Sequence, residues 1–189
     1  MTAGGPRFLP LALKTITAHT VTYFFMGLAA LVLLDYTTRF ADPDVRLLMR
    51  QTDDPWVAAG PLLQPLRGLL FALAFYPLRG ALFGRNDGGL TLWLVLVVVG
   101  ILSTFGPAPG SVEGLIYTRL PWSFQLVGLP EVLAQSLLFA LLLHYWVNHP
   151  EKRWLTVLLS VLLLLTLALA AAGLASCLGY LPAAPAHQV

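Results

Sequence analysis

Residues 60–80 read GPLLQPLRGLLFALAFYPLRG, an apolar run long enough to cross a lipid bilayer, with an arginine, Arg67, near its middle. An arginine at the centre of a spanning helix costs about 2.5–3.5 kcal/mol on insertion scales, so it ordinarily faces the protein interior and finds a partner there. This stretch sets two expectations: the chain crosses a membrane, and other polar groups gather around Arg67.

Composition agrees with the first. Of 189 residues, 58% are hydrophobic and 11% charged, against roughly 25% charged in soluble globular domains. A spanning helix needs about 20 mostly apolar residues, and five segments qualify, at about 13–34, 56–78, 90–105, 130–147 and 154–178. The expected fold is therefore all-α: one integral membrane domain over 1–189, a polytopic bundle of about five transmembrane helices with the lipid bilayer as its main partner. Basic residues precede the first segment, as in a signal peptide, but no A-x-A-like site closes it before Asp35, so it reads as a retained helix. The net charge of +2 is too small to suggest a nucleic-acid partner, and the single cysteine, Cys177, excludes an internal disulfide.

Within the opening stretch, Pro61 and Pro65 free backbone carbonyls that a membrane helix must satisfy elsewhere, which points to a kinked half-helix. The tetrapeptide PLRG recurs at 65–68 and 77–80, twelve residues apart, or about 18 Å along an ideal helix. That spacing puts one arginine near mid-membrane and one at the interface.

The segment before it, 35–55, carries Asp35, Asp42, Asp44, Asp53 and Asp54 against Arg39, Arg46 and Arg50. It reads as a solvated loop, or as a short surface helix with Val45, Leu48 and Met49 on one face. The aspartates do not follow the D-x-[DN]-x-[DN]-G pattern of a calcium loop, so no metal site is expected.

Beyond the third segment, GPAPGSVEGLIYTRLPWSFQLVGL (106–129) is too apolar for a free loop and too broken by Pro107, Pro109 and Pro121 for a span. Its aromatic residues suit the headgroup layer, so it is expected to be an amphipathic loop capping the outer face. Ser111, Glu113 and Arg119 are its candidate functional residues. The fourth segment opens with Glu131 and Gln135, which share a helix face. The fifth carries Ala168, Ala172 and Ser176 at four-residue spacing, a surface for close helix contact.

Five spans place Arg7, Lys14, Arg79, Arg85, Lys152 and Arg153 on one side and Arg39, Arg46, Arg50 and Arg119 on the other. The positive-inside rule then favours an inner-membrane protein with a cytoplasmic N-terminus and an exported C-terminus. In that orientation Arg67 leans outward from mid-membrane toward Glu131 and Gln135, and Gln64 can join them. The expected site is this cluster of Arg67, Glu131, Gln135 and Gln64. An Arg67–Glu131 pair would lower the cost of burying either group.

The expected role is binding, transport or membrane-complex assembly, as a homo-oligomer or within a larger complex, with no catalytic residue, metal or cofactor assigned. Two alternatives are an enzyme with its site under loop 106–129 and a haem or quinone protein ligated by His19 and His144. No G-x-S-x-G or H-E-x-x-H motif supports hydrolysis.

Overall fold

The structure, a computed structural model, describes residues 6–180. In chain order the helices are α1 (Phe8–Leu33), α2 (Tyr36–Ala41), α3 (Pro43–Arg46), α4 (Pro55–Ala58), α5 (Gly60–Phe83), α6 (Gly88–Val97) with a π-helical turn at Val98–Leu102, α7 (Val112–Tyr117), α8 (Trp122–Val127), α9 (Leu129–Asn148) and α10 (Arg153–Cys177). The described residues hold no strand. Among the described residues four stretches are long and apolar enough to cross a membrane: α1, α5, the nearly continuous α8–α9 run Trp122–Asn148, and α10. The stretch Gly88–Leu102 is apolar but shorter.

Helix α1 is central, packed on α5, α9 and α10, while α6 lies against α9 and α5. Its sequence explains how three helices can crowd it. Ala12, Thr15, Thr17, Ala18, Thr20 and Thr22 are all buried, and such small side chains let neighbouring backbones approach. The Thr15 and Thr22 hydroxyls donate to the Leu11 and Ala18 carbonyls, each at 2.8 Å, so burying them strands neither donor. On α5 a close approach falls at Gly68, where a Cβ would stand 2.7 Å from the Ile16 Cα.

In chain order α1, α5, α6, α9 and α10 alternate in direction, so that α5 and α9 run parallel to one another. At one end, Phe8 meets Tyr76 edge-on at 5.3 Å, Lys14 Nζ donates to the Trp146 carbonyl at 2.7 Å, and His144 Nε2 lies 3.1 Å from the Arg85 carbonyl. Among the described residues this end carries the start of α1 and the short turns 84–87 and 149–152, and it is called the turn end below. At the opposite, loop end, Phe40 packs on Phe124 at 5.9 Å, Tyr36 bonds Glu131, and α4 rests on α10.

Several expected boundaries move. Helix α1 begins at Phe8 rather than Leu13, because Pro10 falls in the first turn, where its missing N–H costs no helical bond. His19 is consequently mid-helix rather than near an end. The second segment breaks at Ala59: Asp54 caps the short α4 by accepting from Trp56 N, and Pro61 sits in the first turn of a new helix. Pro65 and Pro77 remain inside one helix, so both PLRG copies lie on α5. The expected surface helix ends at Arg46; Val45 is buried while Leu48 is exposed, so these two do not share a face. On α10 it is Leu155, Leu159, Thr166 and Ala170 that face inward, leaving Ala168 and Ala172 exposed. The N-terminal residues 1–5 and the C-terminal tail 182–189 lie outside the described residues.

Candidate functional site

A cavity of about 290 Å³ opens between α1, α5, α9 and the π-helical turn, toward the loop end of the bundle. Three of the four residues expected to cluster line it: Arg67, Glu131 and Gln135. Its aromatic floor is built by His19, Phe71 and Phe139, with ring centroids 4.9 Å apart for His19–Phe71, 5.2 Å for His19–Phe139 and 5.8 Å for Phe71–Phe139. Tyr23, Ser136 and Thr104 add polar wall. The π-helical turn places Gly100 and Ile101 on the opposite side; such wide turns recur where a helix makes room for a site.

The internal bonding differs from the expected ion pair. Arg67 and Glu131 share the cavity without touching: the ion pairs among the described residues are Arg50–Asp54 and Arg85–Asp87. Arg67 is exposed rather than buried, and its guanidinium lies 5.5 Å from the Phe71 ring centroid, within cation–π range. Glu131 Oε2 instead accepts from the Tyr36 hydroxyl, brought over by the turn that follows α1. Asp35 makes that turn in the left-handed region (φ 48°) and accepts from Thr38 N. Tyr36 titrates above its ordinary value, first because it is partly buried and next because it donates to the Glu131 carboxylate.

Gln64 stays behind the cavity wall. Its Oε1 lies 3.1 Å from His19 Nε2, and its Nε2 donates to the Gly60 carbonyl at 3.0 Å. An amide oxygen can only accept, so His19 Nε2 donates, and in a neutral ring Nδ1 is left as an acceptor. His19 is 1% exposed and its Nδ1 has no partner among the described residues. His19 and His144 belong to separate neighbourhoods: His144 packs on Gly88 and Gly89 at the turn end and bonds Asn148, so the two do not face one another as axial ligands would.

The loop candidates turn out differently. Ser111 is buried as the N-cap of α7, accepting from Gly114 N at 3.0 Å and donating to the Ala108 carbonyl at 2.7 Å. Its hydroxyl is occupied structurally, and Ser111, Glu113 and Arg119 line neither the main cavity nor a smaller one of about 210 Å³ beside it. That second cavity lies between the 34–59 and 103–128 segments and shares Pro109, Glu131 and Val132 with the first.

Gln125 fastens the longer segment. It accepts from Gly110 N at 2.8 Å and donates to the Gly114 carbonyl at 3.1 Å and to Thr118 Oγ1 at 2.7 Å. Gly110 adopts φ +81°, which a side chain disfavours, and a Cβ there would also strike Leu129.

Sequence reasoning missed Tyr36, Tyr23 and Gln125 and gave His19 a different part. The available signals were slight: a tyrosine just past a span, and a lone glutamine in the apolar run WSFQLVGL. Comparisons of the chain with protein-family models, with curated proteins and with solved structures return no match.

Proposed function

We propose that this chain is a five-helix inner-membrane protein that binds a small amphiphilic ligand in the Arg67 cavity, as a transporter or as an accessory subunit of a larger membrane complex. The observation that carries the reading is the convergence of Arg67, Glu131, Gln135 and His19 on one cavity with an aromatic floor. A few polar groups over an apolar floor is the usual make-up of a small-molecule site. The volume, about 290 Å³, equals about ten waters at their share of liquid volume. Arg67 meets no carboxylate among the described residues, so its charge is available to an anionic group.

The Gly88–Leu102 stretch serves as the fifth span, and the 103–128 segment, with the 34–59 segment against it, caps the outer face. The excess of Lys and Arg at the turn end puts that end and the N-terminus in the cytoplasm, and the C-terminus outside. Exposed Ala168 and Ala172 on α10 offer a flat face to a second copy or a partner subunit.

Thermal stability in lipid nanodiscs with 3-phenylpropionate, an anion on an apolar body, tests the reading. A ligand at ten times its Kd stabilises by about 1.4 kcal/mol. Wild type and Arg79→Gln should both be stabilised, and Arg67→Gln should not. Equal stabilisation of all three, or of none, contradicts the assignment.

A further inference from the structure

The cavity is lined by a cation and a carboxylate that do not use one another. Among the described residues Arg67 has no anionic partner, and Glu131 gives only Oε2 to Tyr36, so that Oε1 takes no hydrogen bond. Arg67 and Glu131 come from different helices and line the same cavity as Tyr23. Had the sole task been to neutralise Arg67 in the membrane, contact with Glu131 would achieve it; instead Tyr36 holds that carboxylate away.

Building on the proposed function, we propose that the ligand is a zwitterion, with its anionic group on Arg67, its ammonium on Glu131 Oε1, and its apolar part on the Phe71–Phe139 floor. An anion alone would satisfy Arg67 and leave Glu131 Oε1 bare. A cation alone would satisfy Glu131 and face Arg67. A zwitterion meets both needs, and each bond is charge-assisted. Two sources share this chemistry: a free α-amino acid with a large apolar side chain, and a phosphoethanolamine headgroup drawn from the outer leaflet. For the second, the cavity edge where Arg67 and Gly100 are exposed leaves room for the tails.

The test compares molecules that differ only in the amine. L-Phenylalanine is 3-phenylpropionate with an added α-ammonium; dihexanoyl phosphatidylethanolamine is paired with dihexanoyl phosphatidylglycerol. Binding is read by thermal shift and calorimetry on the full chain in nanodiscs. In at least one pair the amine-bearing member should bind at least about tenfold more tightly, the scale of one charge-assisted bond. Glu131→Gln keeps an acceptor for Tyr36, so the loops stay closed; it should erase that preference, while Arg67→Gln abolishes binding of every compound. A preference in the first pair assigns a free amino acid and in the second a lipid headgroup, and either supports the proposal. If amine-free anions bind through Arg67 with no preference in either pair and no effect of Glu131→Gln, the zwitterion is overturned and the anion site stands. If no compound binds wild type, both readings fall.

Discussion

The crossing of α1 and α5 at Gly68 positions the whole cavity, and a single methyl group there tests the packing. An alanine Cβ would lie 2.7 Å from the Ile16 Cα and 3.4 Å from the Ile16 backbone nitrogen and Cγ1. The nearest atom is backbone, so no side-chain rotation relieves the clash, and α1 and α5 must separate by roughly 1 Å to restore an ordinary carbon–carbon distance. Overpacking of this kind costs about 1–3 kcal/mol, against a gain of about 0.5–1 kcal/mol for replacing glycine within a helix. The net expectation for Gly68→Ala is a loss of about 0–2.5 kcal/mol, or up to several degrees in Tm for a chain of this size. Gly80 on the same helix supplies the control, because a Cβ there meets nothing within 4 Å. Gly80→Ala should be neutral or stabilising by up to about 1 kcal/mol. Thermal unfolding of both variants in one detergent gives the comparison. If Gly68→Ala is as stable as Gly80→Ala, the helices do not cross as described.

Because Arg67 and Glu131 do not touch, combining Arg67→Glu with Glu131→Arg should not rescue either single change, with a coupling below about 0.5 kcal/mol in a stability cycle; full rescue would restore the direct ion pair. Ser111→Ala should cost about 1 kcal/mol as a lost helix cap and quicken amide exchange around α7 without altering ligand affinity, whereas loss of affinity alone would return Ser111 to the site. Gln125→Leu strands the Gly110 N–H, so exchange should rise across 106–128 and stability should fall by about 1–3 kcal/mol; unchanged protection there would remove Gln125 from its fastening role. Tyr36 keeps its proton in the folded protein beyond the pH at which an unfolded tyrosine releases it, about 10, so its contribution is fully present below that pH and declines above it. Alkaline unfolding of Tyr36→Phe should accordingly fall off less steeply above about pH 10 than wild type, and identical curves would show that the Tyr36–Glu131 bond does not form.

The spans were legible because a bilayer demands long apolar runs, and 56–78, 130–147 and 154–178 each fall within a few residues of α5, α9 and α10. Boundaries moved where proline chemistry decided them: Pro10 extended α1, Pro61 restarted a helix, and Pro77 failed to end one. Arg67, Glu131 and Gln135, which line one cavity, stand out in the sequence because a polar group in an apolar run is conspicuous. Partner choice was not legible. Tyr36 and Glu131 are 95 residues apart, and His19 and Gln64 are 45 apart, so those bonds depend on which helix faces meet. The buried threonines of α1 look polar in sequence, yet two of them spend their hydroxyls on their own helix and act as small packing residues.

The central claim is that the polar groups of α5 and α9 surround a cavity reached from the loop end. Its most direct test is thiol accessibility in a Cys177→Ser background, comparing Gln135→Cys, inside the cavity, with Leu138→Cys, 46% exposed on α9 and outside it. Sealed vesicles treated on the loop-end side, the outer face in the proposed orientation, with a small, charged, membrane-impermeant thiol reagent should label the Gln135→Cys protein and spare the Leu138→Cys protein, which the proposed bilayer covers. An unreactive Gln135→Cys protein, or equal labelling of the two, would contradict the account.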